Sequence, residues 1–207
     1  MIGAGERTRR EALRRGLAAA GAAIAAGSIP SLVSAENAPA DSGDDASILE
    51  GAIAIEQTAV VAYASAYDSG WLSKPVADFV RLFREQEREH AEALSGALRE
   101  VGGVVPSPPA PAELPGFGSV RNQEDFLGFA VRLENLAVAV YVDAQRKLLS
   151  PDLLRLATQI MSNEGQHLVV LRQALGAGPA ASVPEAFEAG ASPPPDLGGS
   201  AFVHGRR

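Results

Sequence analysis

Residues 85–94 read EQEREHAEAL, which places Glu87 and His90 three residues apart in a stretch of helical character. Glu87 lies four residues after Phe83 and seven before Leu94, so it shares their apolar face of the helix. The remaining charged residues fall on other sides of the helix, where ion pairs in solvent explain them: Arg84, Glu85, Arg88, Glu89 and Glu92. The helical phase therefore predicts that Glu87 and His90 point into a protein core.

The same pattern recurs later in the chain, where residues 161–171 read MSNEGQHLVVL. Glu164 follows Ile160 by four residues and precedes Leu171 by seven, and His167 precedes Leu171 by four. This stretch is a second Glu-x-x-His on the apolar face of a helix.

Two further glutamates interrupt apolar stripes elsewhere. Glu56 lies in AIEQTAVVAY and Glu134 in RLENLAVAVY, and each is followed seven residues later by a tyrosine, Tyr63 or Tyr141. The intervals from these glutamates to the next Glu-x-x-His glutamate are 31 and 30 residues, which indicates an internal duplication. The tyrosines could donate hydrogen bonds to carboxylates or relay single electrons, but packing explains their two-turn spacing equally well.

Apolar periodicity and end signals predict four helices. They cover about residues 45–68, Ser73 to the glycines at 102–103, Asn122 to about residue 148, and Ser150 to Gly176. The connections after the first and third helices are short, so each pair forms an antiparallel hairpin. Between the hairpins, residues 102–121 are rich in proline, which forbids a helix and favours an extended path.

This connection is long enough to return along the whole bundle. At ~3.1 Å per residue it can travel ~50 Å, against ~35–40 Å for a helix of about 25 residues, so the second and third helices can run parallel. The sequence therefore predicts an all-α domain over residues 46–176, in which a long Pro-rich crossover joins two antiparallel hairpins.

Burying the matched glutamates and histidines in a bundle core is costly. Each ionised group costs several kcal/mol unless something compensates. One buried Glu-x-x-His would be explained as a hydrogen-bonded pair, but six matched residues predict a site for two divalent cations, which balance the four carboxylates. The chain has no cysteine, so the predicted ligands are side chains of Glu56, Glu87, His90, Glu134, Glu164 and His167.

This set resembles the ferritin-like di-iron and di-manganese carboxylate superfamily, whose motif is one Glu from each of two helices and Glu-x-x-His from each of the other two. The resemblance covers residues 46–176 and implies a ferritin-like four-helix bundle. The two-histidine set is more similar to bacterioferritin, rubrerythrin and manganese catalase than to classical ferritin. The resemblance also implies metal bridging by Glu87 and Glu164, with Glu56 and His90 on one ion and Glu134 and His167 on the other.

The first 35 residues have the features of an export signal. Arg9 and Arg10 in TRREALRR are similar to the twin-arginine consensus, and they precede a weakly apolar run and a small-residue cleavage site at Ala35. Pro30 and the glycines disfavour an uncleaved membrane anchor. We therefore expect the twin-arginine export machinery to recognise residues 1–35, and the mature protein to act in the periplasm, the cell wall or outside the cell.

The linker before the bundle is expected to be polar and the mature surface acidic. Cleavage after Ala35 would remove five arginines and two glutamates and take the formal net charge from −7 to about −10. An acidic surface without a basic stripe argues against nucleic acid or an anionic membrane as partner. Residues 36–45 form a linker, and residues 177–207 a Gly/Ala/Pro-rich tail that is extended, either loose or packed along the bundle, with a solvated His204.

The ligand set suits iron or manganese, although zinc or copper would bind it at least as tightly. Two such ions, ~3.5–4 Å apart, can split O₂ or H₂O₂ between them. Without cysteine there is no rubredoxin-type electron port, so we expect a reaction that supplies its own electrons: peroxide disproportionation or ferrous-iron oxidation. The expected partners are H₂O₂, O₂ or Fe²⁺, and a homodimer is a possible assembly.

Two functions without catalysis stay open. The domain could be an exported metal-binding or stress-protective protein, because the signal and the crossover are similar to those of exported ferritin-like proteins that include desiccation-related proteins. It could also be an interaction module with an empty site. Storage in a ferritin-type cage is not favoured, because the crossover and the tail would occupy outer surfaces that a shell needs.

Overall fold

The computed structural model describes residues 45–186 and 188–190. Within these residues the chain forms no strand and four long helices: α1 (Asp45–Asp68), α2 (Lys74–Glu100), α3 (Gln123–Lys147) and α4 (Pro151–Ala174). This confirms the all-α fold. No helix in the described part of the chain combines the length and the apolar composition of a membrane span. The expected export signal, most of the linker and His204 lie outside the described residues.

Hydrogen bonds at the helix ends show how the helices are arranged. The backbone N–H of Ser73, just before α2, donates to Oε1 of Gln123, the first residue of α3 (2.8 Å), so α2 and α3 begin at the same end of the bundle. The N–H of Leu149 donates to Oδ1 of Asp45 (3.1 Å), which places the end of α3 beside the start of α1. The second and third helices therefore run parallel, as the crossover predicts.

Local sequence signals start the last two long helices. Asn122 caps α3 by accepting a hydrogen bond from the N–H of Asp125 (2.9 Å), and Ser150 caps α4 by accepting one from Leu153 (3.5 Å). Ser73 occupies the corresponding position before α2, but its side chain makes no capping hydrogen bond. The start of α2 is held instead by the hydrogen bond from the backbone N–H of Ser73 to the side chain of Gln123.

The crossover is not extended throughout. It contains two 3-10 turns, Pro111–Glu113 and Phe117–Ser119, where the sequence predicted no helical structure. The first turn begins with a proline, whose fixed φ suits a first helical turn. The second follows Gly116, whose φ of 78° lies in the left-handed region that glycine adopts without strain.

Side chains attach the crossover to the bundle. Leu114 and Val120 are buried in the core, and Nε2 of Gln57 on α1 donates a hydrogen bond to the carbonyl of Pro106 (2.9 Å). The crossover therefore contributes to the core as well as connecting the hairpins.

Apolar side chains form two clusters, one toward each end of the bundle. One cluster includes Phe83, Phe126 and Leu171, and the other includes Leu49, Leu98 and Leu153. Along α1 and α2 the change from one cluster to the other falls near Glu56 and Glu87. The middle of the bundle is therefore a polar layer between two apolar ones.

The first part of the C-terminal tail packs on the bundle. A short helix, α5 (Pro179–Ser182), forms where the sequence predicted an extended segment, because a proline follows Gly178 and begins the turn. Farther along, Glu188 forms an ion pair with Arg172 of α4 (3.5 Å). Of the two alternatives for the tail, packing along the bundle holds for its described part.

Candidate metal centre

The polar layer contains all six residues that the sequence singled out as ligands. Each of the four long helices contributes one glutamate, and all four glutamates are at most 1% exposed. His167 is 1% exposed, whereas the side chain of His90 is 13% exposed. The helical phase of the sequence thus predicted correctly that these residues face inward.

The six side chains form two groups that could each hold a metal ion. One group consists of Glu56, Glu87, His90 and Glu164, and the other of Glu87, Glu134, Glu164 and His167. Within each group the candidate ligand atoms lie within 4.8 Å of one another. Glu87 and Glu164 belong to both groups.

The two shared carboxylates each turn one oxygen toward each histidine. The oxygens of Glu87 lie 3.3 Å from Nδ1 of His90 and 2.9 Å from Nδ1 of His167. Those of Glu164 lie 3.1 Å and 3.2 Å from the same two nitrogen atoms. Two carboxylates that reach both groups with different oxygens are placed to join two cations.

Oε1 of Glu87 and Oε2 of Glu164 lie 2.9 Å and 3.2 Å from Nδ1 of His167, but these close contacts do not have the geometry of hydrogen bonds, and several of these buried atoms have no hydrogen-bond partner among the described residues. They are Oε1 of Glu87, both carboxylate oxygens of Glu164 and Nδ1 of His167. Buried polar atoms without partners are costly, and a cation coordinated by them would remove that cost. Carboxylate and imidazole donors suit iron and manganese, so this donor set fits the predicted ions.

The two tyrosines hydrogen-bond the two glutamates that are not shared. Tyr63 on α1 donates to Glu134 on α3, and Tyr141 on α3 donates to Glu56 on α1. Burial, and then the nearby carboxylates, raise the pKa of both hydroxyls well above the ordinary value, so both stay protonated donors. The sequence left hydrogen bonding and packing open for these residues, and the structure shows hydrogen bonding.

Residues 44–177 match the family model for the ferritin-like domain. The chain belongs to the ferritin-like domain family. The matched range agrees closely with residues 46–176, where the sequence resembles this superfamily. Comparison with curated proteins and with solved structures found no significant match.

In this ferritin-like domain His167 is fixed by two residues. Its Nε2 lies 2.9 Å from Oε1 of Gln86 on α2, and its ring stacks on Phe83 with ring centroids 3.9 Å apart. Sequence reasoning did not identify Gln86. The available signal was an amide directly before Glu87, in a helix that also carries a Glu-x-x-His.

In this ferritin-like domain, burial and the repulsion between neighbouring carboxylates favour protonation of part of the glutamate–histidine cluster. Burial, followed by the charge of Glu134, raises the pKa of Glu164 to about 8, and burial also raises that of Glu87 well above its usual range. Burial alone would lower the pKa of His90 and His167, but the neighbouring carboxylates outweigh it and raise both to about 12. Protons therefore balance the charge wherever no metal does.

Glu134 has the opposite shift. Burial acts to raise its pKa, but the nearby His167, whose Nδ1 lies 3.6 Å from Oε1 of Glu134, and the hydrogen bond from Tyr63 lower it below the usual value. Glu134 thus differs from Glu87 and Glu164 in its affinity for protons, as expected when several carboxylates share one buried site.

The other charges of residues 84–92 lie on the surface of the ferritin-like domain. Arg88 forms ion pairs with Glu85 and Glu92, and all three side chains are exposed. This confirms the interpretation of Glu85, Arg88 and Glu92 as part of a solvated, ion-paired face, whereas Arg84 is half-buried over the ring of Tyr67.

Proposed function

We propose that this ferritin-like domain binds two iron or manganese ions and uses them in redox chemistry on H₂O₂, O₂ or Fe²⁺. Glu87 and Glu164 would join the two ions. The other ligands would be Glu56 and His90 on one ion, and Glu134 and His167 on the other.

The observation that carries this proposal is the set of converging atoms without hydrogen bonds. Oε1 of Glu87, both oxygens of Glu164 and Nδ1 of His167 are buried and converge, yet their contacts with neighbouring ligand atoms, 2.9–3.2 Å long, lack hydrogen-bond geometry, and none of the four atoms has another hydrogen bond among the described residues. Hydrogen-bonded carboxylate–histidine pairs would not leave four such atoms. Two divalent cations would bind these atoms and balance four carboxylates.

The protein's own residues would hold the ligands in place. Hydrogen bonds from Tyr63 and Tyr141 orient the two carboxylates that are not shared, and Gln86 orients His167. When bound, a pair of such metals supplies two-electron chemistry with peroxide or oxygen. The 207 residues contain no cysteine, which favours a reaction that needs no cysteine-ligated electron carrier.

The test is metal content followed by turnover. Protein taken from its native host should contain about two iron or manganese ions per chain and should consume H₂O₂ or oxidise Fe²⁺. Glu87→Gln should lose both metal and turnover, whereas the matched surface variant Glu85→Gln should keep both. Metal-free native protein, or holoprotein inert toward both substrates, would contradict the proposed redox function.

A second function is metal binding without catalysis, in an exported stress-protective protein. The burial of the site favours it, because the four glutamates and His167 are at most 1% exposed, and only the 13% exposed side chain of His90 would offer a substrate access. It predicts holoprotein that binds two metals but turns over neither substrate. It also predicts that Glu87→Gln leaves the peroxide tolerance of the host unchanged.

Export is a separate part of the proposal. It is supported by the twin-arginine-like TRREALRR and the small-residue site at Ala35. Replacing Arg9 and Arg10 by lysine should keep the protein in the cytoplasm, with its N-terminus uncleaved. N-terminal sequencing of the exported wild-type protein should begin at Glu36, and an unprocessed N-terminus would contradict removal of the signal.

A further inference from the structure

The two halves of the centre have the same donors but different surroundings. Each half has one histidine, which reaches the shared carboxylates of Glu87 and Glu164 through Nδ1. The side chain of His167 is 1% exposed, whereas that of His90 is 13% exposed. The His90 half is therefore the one with access to the surface.

His167 is held on two sides. Nε2 lies 2.9 Å from Oε1 of Gln86, and an Nε2–H that donates to this oxygen leaves Nδ1 free as the ligand atom. The ring also stacks on Phe83, with an angle of 27° between the planes. Moving Nδ1 away from a bound ion would require breaking the hydrogen bond and the stacking together.

The corresponding supports are different in the His90 half. Gln86 lies directly before Glu87 and Phe83 four residues before it, and the residues at the same places before Glu164 are Asn163 and Ile160. Asparagine is one methylene shorter, and isoleucine has no ring to stack. Nε2 of His90 makes no hydrogen bond to any residue in the described part of the chain.

We infer that Gln86 and Phe83 make the His167 position a slowly exchanging metal site, and that ions enter and leave the centre at the His90 position. The inference rests on the proposed dinuclear centre and concerns how its two positions differ. Gln86 acts here as a positioning residue, because it contacts Nε2 of His167, whereas Nδ1 is the nitrogen that faces the shared carboxylates. Partners of this kind change metal affinity by about 10–100-fold.

The experiment measures metal release from the full-length protein. Protein loaded with two equivalents of Mn²⁺ is mixed with excess EDTA and desalted at successive times, and the retained manganese is measured by elemental analysis. We expect two phases of equal amplitude, with one ion lost at least about tenfold faster than the other. His90→Ala should remove only the fast phase.

Variants of Gln86 distinguish an effect on the position of the His167 ring from an effect on the stability of the whole protein. Gln86→Leu should speed the slow phase by about 10–100-fold and leave the fast phase unchanged, and Gln86→Glu, which restores an acceptor oxygen, should return the slow rate. Phe83→Leu tests the stacking in the same assay. Asn163→Leu is the matched control and should change neither rate, and circular dichroism checks that each variant keeps its helices.

The possible failures are distinguishable. A single release rate for both ions of the wild-type protein, or a slow phase unaffected by both Gln86→Leu and Phe83→Leu, would overturn this inference and leave the dinuclear centre intact. A wild-type protein that retains no manganese would contradict the proposed function itself.

Discussion

The hydroxyl of Tyr63 donates a hydrogen bond to Glu134, which is 71 residues away in sequence and on a different helix. Tyr141 and Glu56 make the reciprocal bond between the same two helices. Each tyrosine thus donates a hydrogen bond to the glutamate of the other hairpin. Because α1 and α3 are antiparallel, Tyr63 lies opposite Glu134 at one level of the bundle, and Glu56 lies opposite Tyr141 two helical turns away.

Tyr63→Phe should destabilise the metal-free protein. The change keeps the ring, which packs edge-on against Phe83 and Phe126, but leaves the buried carboxylate of Glu134 without this donor. We expect a loss of about 1–3 kcal/mol in the free energy of unfolding, measured by urea denaturation. Tyr67→Phe is the control, because the side chain of Tyr67 is exposed, and it should change stability by less than about 0.5 kcal/mol. Equal stabilities of Tyr63→Phe and wild type would contradict the role assigned to this bond.

Much of the fold could be predicted because local signals and global topology agree. The helix periods, the helix starts at Asn122 and Ser150, and the length of the crossover all indicate two hairpins with parallel second and third helices, which the structure contains. The two turns within the crossover could not be predicted in the same way. Proline excludes a helix interior but is compatible with a first turn, so composition alone did not distinguish an extended segment from short turns.

The candidate ligands could also be predicted, because each glutamate interrupts an apolar stripe at a fixed helical phase. The role of Gln86 could not, because its partner His167 is 81 residues away and belongs to another helix. The exposure of His90 depends in the same way on how side chains of different helices pack together. Periodicity identifies which face a residue occupies, but it does not identify the neighbour that it meets there.

Glu164→Gln should separate metal binding from folding. Near neutral pH the raised pKa of Glu164, caused first by burial and then by Glu134, keeps this carboxyl largely protonated in the metal-free protein, and glutamine has the same shape. The variant should keep the helical content of the wild type and unfold within about 1 kcal/mol of it at pH 5. Its affinity for both ions should fall at least about tenfold, because Glu164 belongs to both groups. Metal content equal to that of the surface control Glu92→Gln would contradict a shared ligand at this position.

The stability of the metal-free protein should fall as pH rises from 5 to 9. The pKa of Glu164 is raised from 4.5 to about 8, so its stabilising contribution is complete below pH 4.5 and is lost as pH rises through 8. The histidines, raised from 6.5 to about 12, act in the same direction above pH 6.5. The lowered pKa of Glu134 acts in the opposite direction, but only below about pH 4.5.

Comparison with Glu164→Gln isolates one part of this pH dependence. Wild type and variant should unfold at similar temperatures at pH 5, and the metal-free variant should be more stable at pH 8 by more than about 1 kcal/mol. Thermal unfolding followed by circular dichroism measures both. If the stability of the two proteins changed with pH by the same amount, Glu164 would not titrate between pH 5 and 8.

Metal binding should release protons. Nδ1 of both histidines and the carboxylates of Glu87 and Glu164 must be deprotonated to bind a cation, yet the pKa of each is raised in the metal-free cluster. Loading two Mn²⁺ at pH 7 should therefore release about three to four protons per chain, and the affinity should rise with pH. Calorimetric titrations in buffers of different ionisation enthalpy count these protons. The control Glu92→Gln should release the same number of protons, because Glu92 lies on the solvated face. A binding enthalpy that does not depend on the buffer would mean that the metals do not displace the protons that balance this cluster.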